Sequence, residues 1–326
     1  GDVSIGNYAK LGGGGSDSFS TLVGFRTQSA GPSVAIGVGA RSDIYDYSGW
    51  NGTTQGGVAI GAFALQGGNV NAGVSIGALS ASSYTNAVAV GALSGAANQF
   101  VDLADDVGYS ISEGGSGATS IGHSAGARGT NSTAIGYCAT TAQSDSAGAV
   151  AVGYNANSIG AGSIAMGQGA VAGGFTTAQV TALTTKRTDL QTVLANIETN
   201  LTAAIAANAT KSTADTKFHI ANLQAAKART ELAISRINAD INRTSAESTV
   251  STTTAMAIGF GAKATNLNTT AIGRGASSYA QSSISLGRGS GVTGVNATRG
   301  MALGDGAAVT GDSAVNSTAI GAGANI

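Results

Sequence analysis

Cysteine is all but missing from this chain. Cys138 stands alone, so no intrachain disulfide framework holds the fold. Proline also occurs once, and aromatic residues make up 5% of the sequence, too few for cores centred on rings. Charged side chains are 10% of the residues, where soluble domains average about 25%. Disordered chains are usually rich in charge and poor in aliphatics, so this scarcity argues for order. A formal net charge of −1 offers no basic patch to nucleic acid. No run of about 18 apolar residues occurs, so no helical membrane span is expected here. An initiator Met and a signal peptide are also missing, which marks a fragment of a longer chain. His123 and His219 are the only histidines, and there is no HExxH and no Walker phosphate loop. Neither catalysis, nor a metal, nor a cofactor is expected.

What the chain has is glycine, 51 residues of it, and most of it falls in one phrase. SVAIG ends at Gly37, GVSIG at Gly77, STAIG at Gly136, AVAVG at Gly153, AMAIG at Gly259 and STAIG again at Gly321. Fifteen copies can be aligned, most often 14 residues apart and repeatedly 17. Apolar residues alternate within each copy, which is the period of a β-strand. The residue between them is small in copy after copy: Ala35, Ala59, Ala89, Ala134, Ala151, Ala271, Ala302 and Ala319, or Ser75, Ser120 and Ser285. The recurring Gly suits a tight turn after a short strand. Stacking the copies so that each strand pairs in parallel with the next gives a solenoid of the β-roll or β-helix type. So thin a roll lacks the aliphatic bulk to stand alone. The uniform alanines are therefore expected to face sister chains in a cyclic homo-oligomer.

This SxAIGxGA phrase at a spacing of 14 resembles the YadA-like heads of the trimeric autotransporter adhesins, over residues 1–174 and 255–326. The resemblance implies a homotrimer of left-handed parallel β-rolls on the bacterial surface, outer-membrane anchored in the full-length protein. Its partner would be an extracellular protein or glycan. Phage tail fibres carry the same repeat, so the alternative is a receptor-binding fibre of a virion.

Residues 175–254 interrupt the repeat. From Phe175 to Ile258 there is neither Gly nor Pro. Val180, Leu183, Leu190, Leu194, Ile197 and Leu201 follow a coiled-coil spacing, and so do Ile220, Leu223, Thr230, Ile234, Ile237 and Ile241. Arg187 and Lys227 fill the skipped positions. The two series are out of phase and are separated by a polar stretch in which Ser212 or Thr213 can cap a new helix. Two helices with a break near 207–213 are expected, either as a hairpin or as a stalk between two heads. In the trimer, Leu190, Leu194, Ile197, Leu201, Ile234, Ile237 and Ile241 would line the helical seam. The fold class is thus mostly β, a trimeric parallel β-roll head interrupted by a two-helix coiled-coil segment.

Candidate binding residues fall on two insertions and on one position of the repeat. Residues 41–56 carry Tyr45, Tyr47 and the single Trp50, and residues 96–116 carry Phe100 and Tyr109. Rings on loops can grip a sugar or a protein, or can simply cover the roll's flank. Asp102, Asp105 and Asp106 match no calcium loop. The residue after the repeat Gly varies freely, which points to the outer surface. Stacking should make an exposed ladder of His123, Tyr137 and Tyr154, and another of Arg274, Arg288 and Asp305. A polysaccharide-active solenoid would need a cleft of paired carboxylates, and the repeats hold few.

Overall fold

The computed structural model describes residues 3–11, 20–29, 33–44, 56–67, 73–82, 86–95, 99–103, 107–111, 115–141, 146–175, 177–242, 254–294 and 296–326. All fifteen phrases form three-residue strands, from Val3–Ile5 to Thr318–Ile320. Each is followed by a Gly turn, and most by a second, shorter strand such as Thr140–Thr141 or Ser277–Ser278. Coil upon coil, like strands pair in parallel and in register: Ala134 lies on Ala151, and Ala151 on Ala165. This is a β-roll.

The chain divides into two compact units. One comprises residues 1–117 with 182–239, and the other 118–181 with 240–326. The first holds six of the long-sheet strands and the second holds nine. In the second unit Ile164–Met166 pairs directly with Met256–Ile258, and Val171–Ala172 with Lys263–Ala264. The roll resumes after the helices in the register in which it stopped.

The repeat Gly is dictated by stacking. Gly136 has φ of +131°, and a Cβ there would lie 2.5 Å from the carbonyl oxygen of Gly153 in the next coil. Only a residue without a side chain allows backbones this close in that conformation.

The alanines do not face a neighbouring chain. Ala35, Ala59, Ala89, Ala134, Ala151, Ala271 and Ala302 are wholly buried and Ala319 almost so, all inside the roll of the single chain. The expectation that they form a trimer interface is corrected by the width of the coil. Its two short strands lie so close that mostly small side chains fit between them. The interior is accordingly largely Ala and Ser, with Leu22, Val292 and Val309 as larger exceptions, and hydroxyls pair across it, as in Ser75–Ser80 at 2.8 Å and Ser158–Ser163 at 2.9 Å. The flanking aliphatics point outward instead. Ile76 and Ile135 are each 37% exposed and Met166 is 41% exposed, and the same strip recurs on every coil.

Residues 177–242 form two helices. α1 is Thr177–Thr210 and α2 is Ala214–Asn242. Thr213 caps α2 reciprocally: the Thr216 N–H donates to Thr213 Oγ1 at 3.1 Å, and the Thr213 N–H donates to Thr216 Oγ1 at 2.9 Å. Thr216 also donates to Asn208, Lys227 pairs with Glu198 at 2.7 Å, and Arg187 reaches Asn238 at 3.5 Å. These partners step outward symmetrically from the break, so the two arms form an antiparallel hairpin. Leu183, Leu190 and Ile197 are buried along α1, and Leu223, Thr230 and Ile237 along α2. Each series repeats every seven residues, which closes a coiled-coil seam within one chain. Leu194, Leu201, Ile234 and Ile241 are half-buried beside it. The seam expected between three chains is therefore closed by the two arms. Arg187 and Lys227 tie those arms together instead of reaching out of a trimer.

Candidate binding surface

Each coil turns at the repeat Gly, and the two residues after that Gly line one edge of the roll. In the second unit the first of these slots holds His123, Tyr137, Tyr154, Gln168, Phe260, Arg274, Arg288 and Asp305 in succession. His123 stacks on Tyr137 with ring centroids 5.2 Å apart, and Tyr137 on Tyr154 at 5.3 Å, both nearly parallel. About half of each Tyr surface is open to solvent. Ser124 Oγ lies 2.9 Å from His123 Nδ1 at the top of the stack. The rings present edges and hydroxyls to solvent because their faces cover one another. A sugar stacks on a face, so the middle of this ladder supplies no platform. Tyr137→Ala is expected to cost about 1 kcal/mol, measured by thermal unfolding, since it removes two ring pairs at an exposed site.

Further along the same edge the ladder becomes ionic. Arg288 donates to both carboxylate oxygens of Asp305, at 3.2 and 2.6 Å. That pairing holds the Asp305 carboxyl below its usual range and raises Arg288.

The second slot after the Gly separates the two units. In the second unit it is small or Gly: Cys138, Asn155, Gly169, Gly261, Gly275, Gly289 and Gly306. In the first it holds Gly39, where Phe63 and Phe218 leave no room for a side chain, and otherwise Tyr8, Arg26, Phe63, Leu79 and Leu93, these five with φ between +53° and +61°. Bulky residues with positive φ are strained by on the order of 1–3 kcal/mol and persist where other contacts offset it. Here the offset is α2. Phe218 packs on Phe25 at 5.6 Å and on Phe63 at 5.8 Å, with the Arg26 guanidinium 4.7 Å from its ring. Arg26 also pairs with Asp215, while Arg229 donates to the Phe63 carbonyl and Arg236 to the Leu93 carbonyl. Burial pulls Arg229 down to about 10, and the neighbouring Arg41 adds to the shift. Sequence patterning misses this docking face because its arginines look solvated. The signal that finds it is the change from Gly to Phe or Leu in the second slot.

The second unit has an ionic anchor of its own. Arg128 and Asp240 are both about 1% exposed and pair at 2.8 Å. Arg128 Nε donates to the Thr141 carbonyl at 3.1 Å, and Asn157 reaches Asp240 at 3.5 Å.

A family model, the YadA head domain repeat, matches in two copies over residues 114–137, 142–173 and 253–276. The matched residues share one coil geometry with the rest of the repeat: parallel strand, Gly turn, small-residue interior. These coils are YadA-like head repeats. No curated protein and no solved structure matches the chain.

The remaining expected sites divide as follows. Tyr45, Tyr47, Trp50, Asp105 and Asp106 lie outside the described residues. Phe100 and Asp102 belong to the strand Gln99–Leu103, which pairs antiparallel with Val107–Ile111, where Tyr109 sits opposite Val101. Cys138 is half-buried and takes part in no disulfide. Among the described residues no group of three or more His, Cys, Asp or Glu is placed to hold a metal, and no helix is long and apolar enough to cross a membrane.

Proposed function

We propose that this YadA-like head is a segment of a non-enzymatic, homotrimeric surface fibre of the trimeric autotransporter adhesin type. It attaches by many weak contacts that threefold symmetry multiplies into avidity. One observation carries the reading. In each unit the strands leave an outward strip of aliphatics, Ile76 and Val90 in the first and Ile121, Ile135, Met166, Ile258 and Leu286 in the second, half-exposed on coil after coil. Soluble monomers rarely expose contiguous apolar strips of this kind. Three copies packed strip to strip bury it, and head-to-tail cyclic contact closes the assembly. The fibre belongs on the bacterial surface, with an extracellular protein or glycan as its ligand.

The test is sedimentation at several concentrations. Wild type is expected to run as a trimer. Ile121→Asp combined with Ile135→Asp is expected to give monomers, because six carboxylates would meet on the trimer axis. A folded, monomeric wild type overturns the proposal.

A further inference from the structure

We propose that the trough beside Phe260, Arg274 and Arg288 binds the carboxylated sugars of an acidic polysaccharide. The inference rests on the adhesive reading above and names a site and a ligand class for it. The trough lies on the edge of the second unit and has a volume of about 430 Å³. Its walls are Phe260, Arg274, Arg288 and Asp305, and its floor is the glycine row 261, 275, 289 and 306.

Three features set it apart from the rest of the edge. The first is the floor. A Cβ at any of those four glycines would meet nothing within 4 Å, so packing does not demand Gly there. The same slot carries Phe63, Leu79 and Leu93 in the first unit, where α2 covers the edge, and Gly in this run of coils, where no described residue covers it. The second is the ring. Phe260 is 57% exposed, and among the described residues no ring or guanidinium stacks on it. Neither a ring nor a guanidinium thus covers its face, unlike the faces of His123, Tyr137 and Tyr154. The third is Arg274. It is exposed, lies between the rungs of Phe260 and Arg288, and makes no hydrogen bond or ion pair among the described residues. Arg288, by contrast, already spends its fork on Asp305.

The chemistry follows. A free guanidinium matches a carboxylate in bidentate geometry. An open aromatic face one rung away takes the C–H face of a pyranose. Asp305, with lone pairs left beyond Arg288, accepts from sugar hydroxyls. Two guanidiniums against one carboxylate leave a single positive charge. That suits one carboxylate per sugar residue and is too little for a polyphosphate such as nucleic acid, which is held by many phosphate contacts at once. Rungs repeat about every 4.8 Å, so successive sugars of a linear chain can follow the edge.

The experiment is calorimetric titration of the full chain with hexagalacturonate and with an oligosialic acid, against neutral cellohexaose. Binding of an acidic oligosaccharide well above cellohexaose is expected. Arg274→Gln should weaken it about ten- to a hundred-fold, the range for a lost charge-assisted pair. Gly275→Leu should do the same by filling the floor, with a lowered unfolding midpoint from its positive φ but no loss of the fold, since Leu79 and Leu93 adopt that conformation in the equivalent slot. Arg299→Gln, away from the trough, should leave binding unchanged. Failure to bind either acidic probe, equal binding of cellohexaose, or indifference to both trough variants overturns the inference. Sedimentation separates this failure from that of the fibre reading: a trimer that ignores both acidic probes sinks only the ligand assignment.

Discussion

Asp240→Ala is expected to destabilise the protein by about 3–5 kcal/mol, the usual consequence of removing one partner from a buried ion pair. Arg128 would keep its charge inside the fold, with the Thr141 carbonyl still accepting from Nε but its Asp240 counter-ion gone. Equilibrium urea unfolding would show a lowered midpoint at a similar slope. The double variant Arg128→Met with Asp240→Leu separates charge from packing. It should recover much of the loss, because apolar pairs of similar volume often replace buried ion pairs without penalty. A change under about 1 kcal/mol in the single variant would mean that water reaches Arg128, contrary to its burial.

Gly136→Ala is expected to cost about 3 kcal/mol or more, by coupling an unfavourable backbone conformation to a collision with the next coil. The added methyl would sit 2.5 Å from the Gly153 carbonyl oxygen, and the stack cannot part there without breaking the ladder on either side. Gly275→Ala is the matched control. It has φ of +69° and open space around its Cβ, so backbone strain alone, about 1 kcal/mol, should register. Equal losses at the two sites would show that conformation, not the closeness of the coils, sets the requirement for Gly.

Much of the fold was legible because its physics is periodic. Period-two alternation before a recurring Gly identified fifteen strands, and a long stretch without Gly or Pro identified the helices. Alternation says that a strand has two faces, and it does not say which one is inside. Ala134 and Ile135 illustrate the difficulty. The larger residue looks like core, yet the coil is too narrow for it, and Ala134 is the one at zero exposure. The same ambiguity affected the helices. Leu190 and Ile197 announce a seam, but heptads alone do not distinguish a sister chain from the other arm of a hairpin. The ladder of His123, Tyr137 and Tyr154 followed from stacking and stands in the structure as a stack. The docking face of α2 did not show itself, since Arg229 and Arg236 carry charge and reach backbone carbonyls that no side-chain pattern advertises.

The direct pairing of Ala165 with Ala257 has a consequence for how such heads diversify. The roll's hydrogen-bond ladder depends on where a segment leaves and rejoins, not on its length or content. Any excursion whose two ends meet one rung apart is invisible to the stack. A whole folded cassette can therefore be spliced between turns, or deleted, while the rod keeps its pitch. Adapting a lodged cassette to its host then takes only single-residue swaps at the corner beneath it, Gly for Leu or Phe.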